Sequence, residues 1–341
     1  GGQDPDFFNQ DVKGTSYRIV VQRVPSVAGD VVVEVPGDAR HQVSSISKDS
    51  TGFETELDPA IKLFMVKLPV PELDDNPSDG DALIEALRQF GVETRLELRP
   101  LTKLQPILAQ NERELIAVVR DDVSVIDVWP PAPFDAYGAA IDIGSTSIAL
   151  YLYDLTNGAL VHQASAMNPQ IRYGEDLMSR VSYVMMNPGG EKEMTTAIRQ
   201  ALNTLAQDVA RQAGLELTDI LEVVLVGNPV MHHLFLGINP VELGQAPFTL
   251  AVKDWFEAPA PLFNLGISET ARIQMLPLVG GHVGADTTGA YLTQLDTMTG
   301  RSVLLVDEHP LDPALIGLDI PYLFGARLGA AVQNPTVSVS P

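Results

Sequence analysis

The first part of the chain carries short strand-like stretches, recognisable by alternating apolar and polar positions. Before them, a polar and Gly-rich start without periodicity predicts a loose leader over about the first fifteen residues. Predicted strands then cover residues 17–22, 30–36 and 61–68. Two further apolar runs, residues 115–119 and 123–129, are separated by Asp121-Asp122 and predict a hairpin.

One helix is predicted between these strands. Apolar side chains recur at helical spacing over residues 83–90, with Ser78 or Asp79 placed as the N-cap and Gly91 ending the run. Together the helix and strands predict a small α+β domain over residues 57–130, preceded by a leader and linker segment over residues 1–56. Prolines directly after this domain predict a stiff linker.

The pattern changes at Ala139, where three strand-like stretches follow one another. They cover residues 139–144, 147–155 and 159–166. The stretches are separated by Gly144-Ser145-Thr146 and by Asn157-Gly158. The latter pair is typical of a two-residue hairpin. We therefore predict an antiparallel meander of three strands.

Helices and strands then alternate. Helical periodicity marks residues 175–186 and 194–209, a helix around 231–235 and one over 285–295, and strands are predicted over 221–227, 273–279 and 302–307. This order is that of a ribonuclease H-like half-domain, so the fold class is α/β, with an actin-like ATPase half-domain after the small α+β domain. Its first subdomain is expected at residues 137–300. Residues 301–341 are too few for another half, and we expect them to begin a second subdomain and then diverge, which leaves the nucleotide-binding fold incomplete.

Charge and composition disfavour several classes of function. The chain has 44 acidic and 22 basic residues and a formal net charge of -22, which opposes binding to nucleic acid. There is no cysteine, so this chain has no disulfide and no thiolate ligand for an iron–sulfur cluster. No apolar run is long enough for a membrane helix, and the start of the chain does not resemble a signal peptide. We expect a soluble, cytoplasmic protein.

The segment Asp142-Ile-Gly-Ser-Thr-Ser147 is the best-placed candidate for chemistry. A carboxylate ends a predicted buried strand, and a glycine turn with three hydroxyl side chains follows it. Asp142 is expected to hold Mg²⁺ through water, while Gly144 allows close backbone approach. Ser145, Thr146 and Ser147 supply donors to the phosphates of a nucleotide. The pattern is short and also occurs in ordinary β-turns, and its position in the meander is what favours phosphate binding.

A second Gly-rich segment, Gly280-Gly-His-Val-Gly-Ala-Asp286, lies between a predicted strand and a predicted helix. Gly280, Gly281 and Gly284 let a backbone approach a ligand, and Asp286 opens the helix. A plain Gly-rich turn explains the segment equally well, because no P-loop lysine accompanies the glycines.

Two polar segments have both a structural and a functional interpretation. Asn228 and Pro229 are placed as the N-cap and first position of a helix. The adjacent His232 and His233 diverge around that helix, which disfavours a shared metal ion. The segment 168–176 precedes another helix and has two interpretations: a polar loop near the nucleotide cleft, or a segment whose Asp176 and Arg180 form an ordinary i,i+4 ion pair.

Several phrases together resemble one family, the reductive activators of corrinoid proteins. They are the phosphate-loop segment, Asn168-Pro-Gln-Ile-Arg-Tyr-Gly-Glu-Asp-Leu-Met-Ser-Arg180, Val226-Gly-Asn-Pro-Val-Met-His-His-Leu234, Leu243-Gly-Gln-Ala-Pro-Phe248 and Leu278-Val-Gly-Gly-His-Val-Gly-Ala-Asp286. The resemblance covers about residues 57 to 307. Members of this family have a ferredoxin-like domain, a middle domain and an actin-like (ASKHA) ATPase domain.

The resemblance implies an ATP- and Mg²⁺-dependent activator, in which an electron from an iron–sulfur cluster reduces Co(II) corrinoid to Co(I) on a protein of a methyltransferase system.

The chain departs from the family pattern at two places. No counterpart of the cluster-binding segment is found, and after Val306-Asp307 the family's Gly-Thr-Asn-Gly loop is replaced by Glu308-His-Pro. The implied partner is therefore a corrinoid protein, with a homodimer left open.

Two alternatives remain open. A phosphotransferase of the sugar or acid kinase type shares the phosphate loop, and Asp286 is its candidate base. A non-catalytic fragment of the activator is the other, because the second half of the nucleotide fold is missing.

Overall fold

A computed structural model describes residues 6–12, 15–21, 58–72, 77–132, 135–281 and 283–293. These residues form three β-sheets and six α-helices. The strands are β1 (Asp6–Val12), β2 (Thr15–Val21), β3 (Ile61–Lys67), β4 (Arg95–Leu96), β5 (Glu114–Arg120), β6 (Ser124–Trp129), β7 (Tyr137–Ile143), β8 (Ser147–Asp154), β9 (Leu160–Met167), β10 (Ile220–Gly227), β11 (Phe256–Pro259) and β12 (Arg272–Met275). The helices are α1 (Asp79–Arg88), α2 (Leu98–Gln110), α3 (Leu177–Met186), α4 (Gly190–Ala213), α5 (Pro229–Leu236) and α6 (Ala285–Thr293).

The start of the chain differs from the predicted loose leader. β1 pairs with β2 in an antiparallel hairpin, in which Asp6 lies opposite Val21. Backbone pairing between neighbouring segments forms this hairpin although β1 has no clean apolar alternation. The strand predicted at residues 30–36 lies outside the described residues.

A four-stranded sheet in the order β3-β5-β6-β4 forms the small α+β unit. The predicted strand at 61–68, the hairpin β5–β6 and the helix α1 are confirmed, and the Ser78 Oγ accepts a hydrogen bond from the Asp81 N–H as an N-cap. Helix α2 was not predicted. It contains Pro100 in its first turn, where proline is tolerated, and Pro106 in its interior, and it is held by burial of Leu104 and Leu108.

The larger sheet has the order β11-β12-β10-β7-β8-β9. The predicted meander β7–β8–β9 is antiparallel, and β10 runs parallel to both β7 and β12. The edge strand β11 was not predicted, and the predicted strand at 273–279 already ends at Met275. The fold is thus mixed α/β, as the sequence predicts. The strand predicted over 302–307 and the divergent tail lie outside the described residues.

The turn between β8 and β9 is longer than the predicted two-residue hairpin. The Asp154 carboxylate accepts hydrogen bonds from the Thr156 N–H (2.8 Å) and the Asn157 amide (2.6 Å). The Asp154 N–H also donates to the Ala159 carbonyl, and Gly158 has a φ of 74°. A side-chain-capped loop therefore replaces the tight turn, because the carboxylate accepts hydrogen bonds from loop donors that a two-residue turn would leave unpaired.

Both faces of the larger sheet are covered. Alternate side chains of β7, such as Ile141, pack with the apolar stripe of α4 in one core cluster. The opposite face, with Ala140 and Tyr151, packs against Val118 and Ile126 of the small sheet. No helix within the described ranges is long and apolar enough to cross a membrane.

Candidate functional site

The candidate site lies where parallel strands end together. Ile143, the last residue of β7, is in register with Gly227, the last residue of β10, and β12 runs parallel on the far side of β10. The carboxyl ends of parallel strands meet at one edge of a sheet, where open α/β folds place their ligands. Three connections therefore leave from this edge: residues 144–146, the start of α5 and residues 276–284.

The first connection is the predicted phosphate loop. A Cβ at Gly144 would lie 2.8 Å from the Ser147 carbonyl oxygen, so the tight turn requires glycine. Gly144 and Ser145 are half-buried, whereas Thr146 and Ser147 are exposed. The half-buried Asp142 lies in register with Ala149 on one side and Val226 on the other. Exposed hydroxyl groups thus stand beside a carboxylate at the strand end.

The second Gly-rich segment lies beside the first. A Cβ at Gly284 would lie 2.5 Å from the Asn228 Cα and 2.6 Å from the Gly227 carbonyl oxygen, and a Cβ at Gly227 would lie 3.0 Å from the Ile143 carbonyl oxygen. The backbone of the second loop therefore packs against the end of β10, and the end of β10 packs against the end of β7, which leads into the first loop. Only glycine permits approaches this close.

The other residues predicted in that segment differ in surroundings. A Cβ at Gly281 would lie 2.6 Å from the Phe248 carbonyl oxygen, so the phrase around Phe248 packs on this loop. Gly280 has no atom within 4 Å of its Cβ position. The half-buried Asp286 lies in the first turn of α6, and its carboxylate accepts a hydrogen bond from the Thr287 N–H (2.8 Å).

Two fully buried side chains lie behind the phosphate loop. The Asn168 Nδ2 donates to the Gly144 carbonyl oxygen (2.7 Å), and the Asn168 N–H donates to the Thr146 carbonyl oxygen (2.8 Å). The Arg180 Nη2 donates to the Ser145 carbonyl oxygen, between these two contacts. The predicted functional loop at 168–176 is therefore adjacent to the phosphate loop.

Arg180 does not form an i,i+4 ion pair with Asp176, which the spacing had left open as an alternative. The Asp176 carboxylate instead caps α3 and accepts from the Ser179 N–H (2.7 Å), while the Arg180 Nε donates to the Gly174 carbonyl oxygen (3.0 Å). Burial lowers the pKa of Arg180 to about 10, against an opposing effect of the Asp176 charge. Helical spacing allowed such a pair, but the guanidinium points inward to backbone acceptors.

The segment after β10 forms the predicted cap. The Asn228 side chain accepts a hydrogen bond from the Met231 N–H (3.0 Å), and Pro229 occupies the first turn of α5. His233 is held by the Pro229 carbonyl oxygen (2.8 Å) and by the Ala251 N–H (3.0 Å). Burial lowers the pKa of His232 to about 3, with a smaller effect of His233. Over the residues that the structure describes, no cluster of three metal-ligating side chains occurs.

Two family profiles match the chain. The RACo linker region matches residues 51–133, and the RACo middle region matches residues 137–297. The corrinoid activation enzyme RamQ of Eubacterium limosum is 31% identical over 262 residues, which are 76% of this chain and 44% of that protein. A solved structure of a reductive activator for corrinoid, iron-sulfur protein is 28% identical and superimposes with a TM-score of 0.67, covering 77% of this chain and 45% of the other.

Both relatives carry names that describe activators of corrinoid proteins. The chain belongs to the family of corrinoid-protein reductive activators and contains their linker and middle regions. It spans less than half the length of the relatives described above.

Proposed function

We propose that this chain supplies the nucleotide-binding and partner-binding part of an ATP-dependent activator that reduces a corrinoid protein from Co(II) to Co(I). The observation that carries the proposal is the junction of the two Gly-rich loops at the carboxyl edge of the larger sheet. There the Gly284 Cβ position lies 2.6 Å from the Gly227 carbonyl oxygen, next to the phosphate loop. Loops that meet at the carboxyl edge of parallel strands are typical of nucleotide sites in open α/β folds.

The strand order supports an actin-like nucleotide fold. Three antiparallel strands, β7 to β9, are followed by the parallel strands β10 and β12, with helices in the intervening connections. This arrangement supports a ribonuclease H-like half-domain, which the actin and sugar kinase class uses twice. We propose residues 137–300 as the first subdomain of such an ATPase domain, after a small domain at residues 57–130.

The residues at the edge suit a magnesium nucleotide. Mg²⁺ keeps several waters and takes few protein carboxylates, and Asp142 is the carboxylate at the end of β7. Bound Mg²⁺ would neutralise phosphate charge. Ser145, Thr146 and Ser147 would donate to the phosphate oxygens, and Gly280, Gly281, Gly284 and Asp286 would border them from the second loop.

The corrinoid partner follows from the family. Both relatives carry names that refer to corrinoid proteins, and a protein of a methyltransferase system is the partner we propose for this chain. The reduction adds one electron to Co(II). This chain has no cysteine to ligate a cluster, so an iron–sulfur domain or protein outside these residues is the proposed electron donor.

Calorimetric titration with Mg-ATP tests the nucleotide step. The wild-type chain should bind in the micromolar range, and Asp142→Asn should weaken binding about tenfold or more, because charged contacts are worth roughly 1.5–3 kcal/mol. Asp208→Asn removes the same charge from α4 and should leave the affinity unchanged.

Partner binding is measured next, as association with Co(II) corrinoid protein with and without nucleotide. If partner association changes neither with nucleotide nor in Asp142→Asn, the coupling between nucleotide binding and partner binding is refuted. Phosphate transfer to a sugar or short acid would favour the kinase alternative, and absence of Mg-ATP binding would favour a non-catalytic fragment.

A further inference from the structure

Three consecutive carbonyl groups of the phosphate loop are held from one side. Asn168 binds the oxygens of Gly144 and Thr146, and Arg180 binds the oxygen of Ser145. Asn168 and Arg180 are both 0% exposed. The loop therefore rests on a buried polar support, which we call the loop clamp, made of Asn168 and Arg180.

The clamp determines where the loop's N–H groups point. In a planar trans peptide the C=O bond and the N–H of the next residue point in opposite directions. Carbonyls directed at the clamp therefore direct the N–H groups of Ser145, Thr146 and Ser147 away from it. Asn168 and Arg180 are fully buried whereas Thr146 and Ser147 are exposed, and we infer that the N–H groups face the side open to a ligand. Successive N–H groups on one side form an anion-binding concavity.

Arg180 is itself rigidly placed. Its Nε donates to the Gly174 carbonyl oxygen (3.0 Å), and its Nη1 contacts the Met231 sulfur (3.0 Å) and the Gln170 Oε1 (3.4 Å). Gln170 is also 0% exposed and donates to the Met194 carbonyl oxygen (3.1 Å). No ion pair joins Arg180 to a carboxylate within the described part of the chain. Its positive charge therefore lies close behind the loop, in a poorly solvated environment where it acts strongly, and the Asp176 charge opposes it without a direct ion pair.

We propose that Arg180 and Asn168 are positioning residues for polyphosphate binding. They turn three consecutive N–H groups toward the ligand, and Arg180 adds a buried positive charge behind them. The inference rests on the proposed nucleotide-binding function and assigns the residues that set its geometry.

Arg199 offers a matched control. Its Nε and Nη2 both donate to the Phe235 carbonyl oxygen (3.0 and 2.7 Å), and its guanidinium lies over the Phe263 ring. It therefore holds backbone from a helix as Arg180 does, without touching the phosphate loop. Replacing either arginine by methionine should lower the melting temperature.

The test measures dissociation constants of the 341-residue chain for Mg-ATP and for magnesium tripolyphosphate, together with melting temperatures. Arg180→Met should weaken both ligands by about tenfold to a hundredfold, the cost of losing charge-assisted contacts. Arg180→Lys keeps the charge but reaches fewer acceptors, so its affinities should fall between those of the wild type and Arg180→Met. Arg199→Met should bind both ligands as the wild type does.

The outcomes separate the two proposals. Wild-type affinity in Arg180→Met, or equal loss of affinity in Arg180→Met and Arg199→Met, overturns the positioning role and leaves the nucleotide site intact. A loss restricted to Mg-ATP also overturns it, because the clamp acts at the phosphates. If Arg180→Met does not fold, wild-type affinity in Arg180→Lys overturns the role. A wild-type chain that binds neither ligand overturns both proposals.

Discussion

Glu222 should make the stability of this protein fall as the pH rises. The carboxylate lies on β10 at the contact between the two larger sheets and is 1% exposed. Neither of its oxygens has a hydrogen-bond partner, and the Arg120 Nη2 approaches only to 3.7 Å while it donates to the Thr270 carbonyl oxygen (3.0 Å). The charged form of Glu222 is therefore poorly compensated.

Burial raises the pKa of Glu222 from 4.5 to about 8, against the opposing charge of Arg120 and with a smaller contribution from Glu257. The folded state thus holds this proton more tightly than the unfolded state. The contribution of this proton to the free energy of unfolding is fully present below pH 4.5 and is lost as the pH rises to about 8. At roughly 1.4 kcal/mol for each pH unit, the loss is at most on the order of 5 kcal/mol.

The perturbation is Glu222→Gln, which is neutral at every pH. The variant should match the wild type at pH 5 within about 1 kcal/mol and exceed it at pH 8.5 by on the order of 2–5 kcal/mol. Urea unfolding followed by tryptophan fluorescence reports on this, since Trp129 packs against the core cluster between the sheets. Glu93→Gln removes an exposed carboxylate and corrects for net charge. A Glu222→Gln variant that is less stable than the wild type at pH 8.5 would show that the Arg120 pair outweighs the cost of burial.

Two further predictions concern the candidate site. Gly284→Ala should lower the free energy of unfolding by about 1–3 kcal/mol, because its Cβ would meet the backbone of Asn228 and Gly227, whereas Gly280→Ala, with open space, should stay within about 0.5 kcal/mol in the same urea titration. Equal effects would contradict the close backbone contact between the loops. Asn228→Ala should cost about 1 kcal/mol through loss of the α5 cap, and Asn228→Asp should restore most of it, as measured by thermal unfolding. If Asn228 stabilised the protein by some means other than the cap, Asn228→Ala and Asn228→Asp would be equally destabilised.

Elements with strong local signals were predictable from sequence. The apolar stripe of α4, the meander β7–β9 and the caps at Ser78 and Asn228 all follow from spacing and from side chains that bond nearby backbone. Helix α2 was missed because Pro100 and Pro106 lower its helical propensity, and its stability comes from burial of Leu104 and Leu108.

The candidate site shows the same difference between local features, which can be predicted from sequence, and long-range contacts, which cannot. The Gly-rich loops were predicted from hydroxyls, glycines and a carboxylate at strand ends, which are local features, and the segment 168–176 from its resemblance to the family. The contact between Gly284 and Gly227 was not predictable, since it joins residues far apart in sequence.

The sequence alone determined the α/β class and the order of the strands along the chain, and it predicted the residues of the candidate phosphate loop, because these depend on periodicity and on neighbours along the chain. Tertiary structure decided the environments of the buried charges. Helical spacing left an Asp176–Arg180 ion pair open as an alternative, yet packing turns Arg180 to the Ser145 carbonyl oxygen. Glu222 looked like one polar residue in an apolar strand, and only the packing of the small sheet places it beside Arg120. Partners brought together by long-range packing leave no local pattern, and they set the electrostatics of this protein.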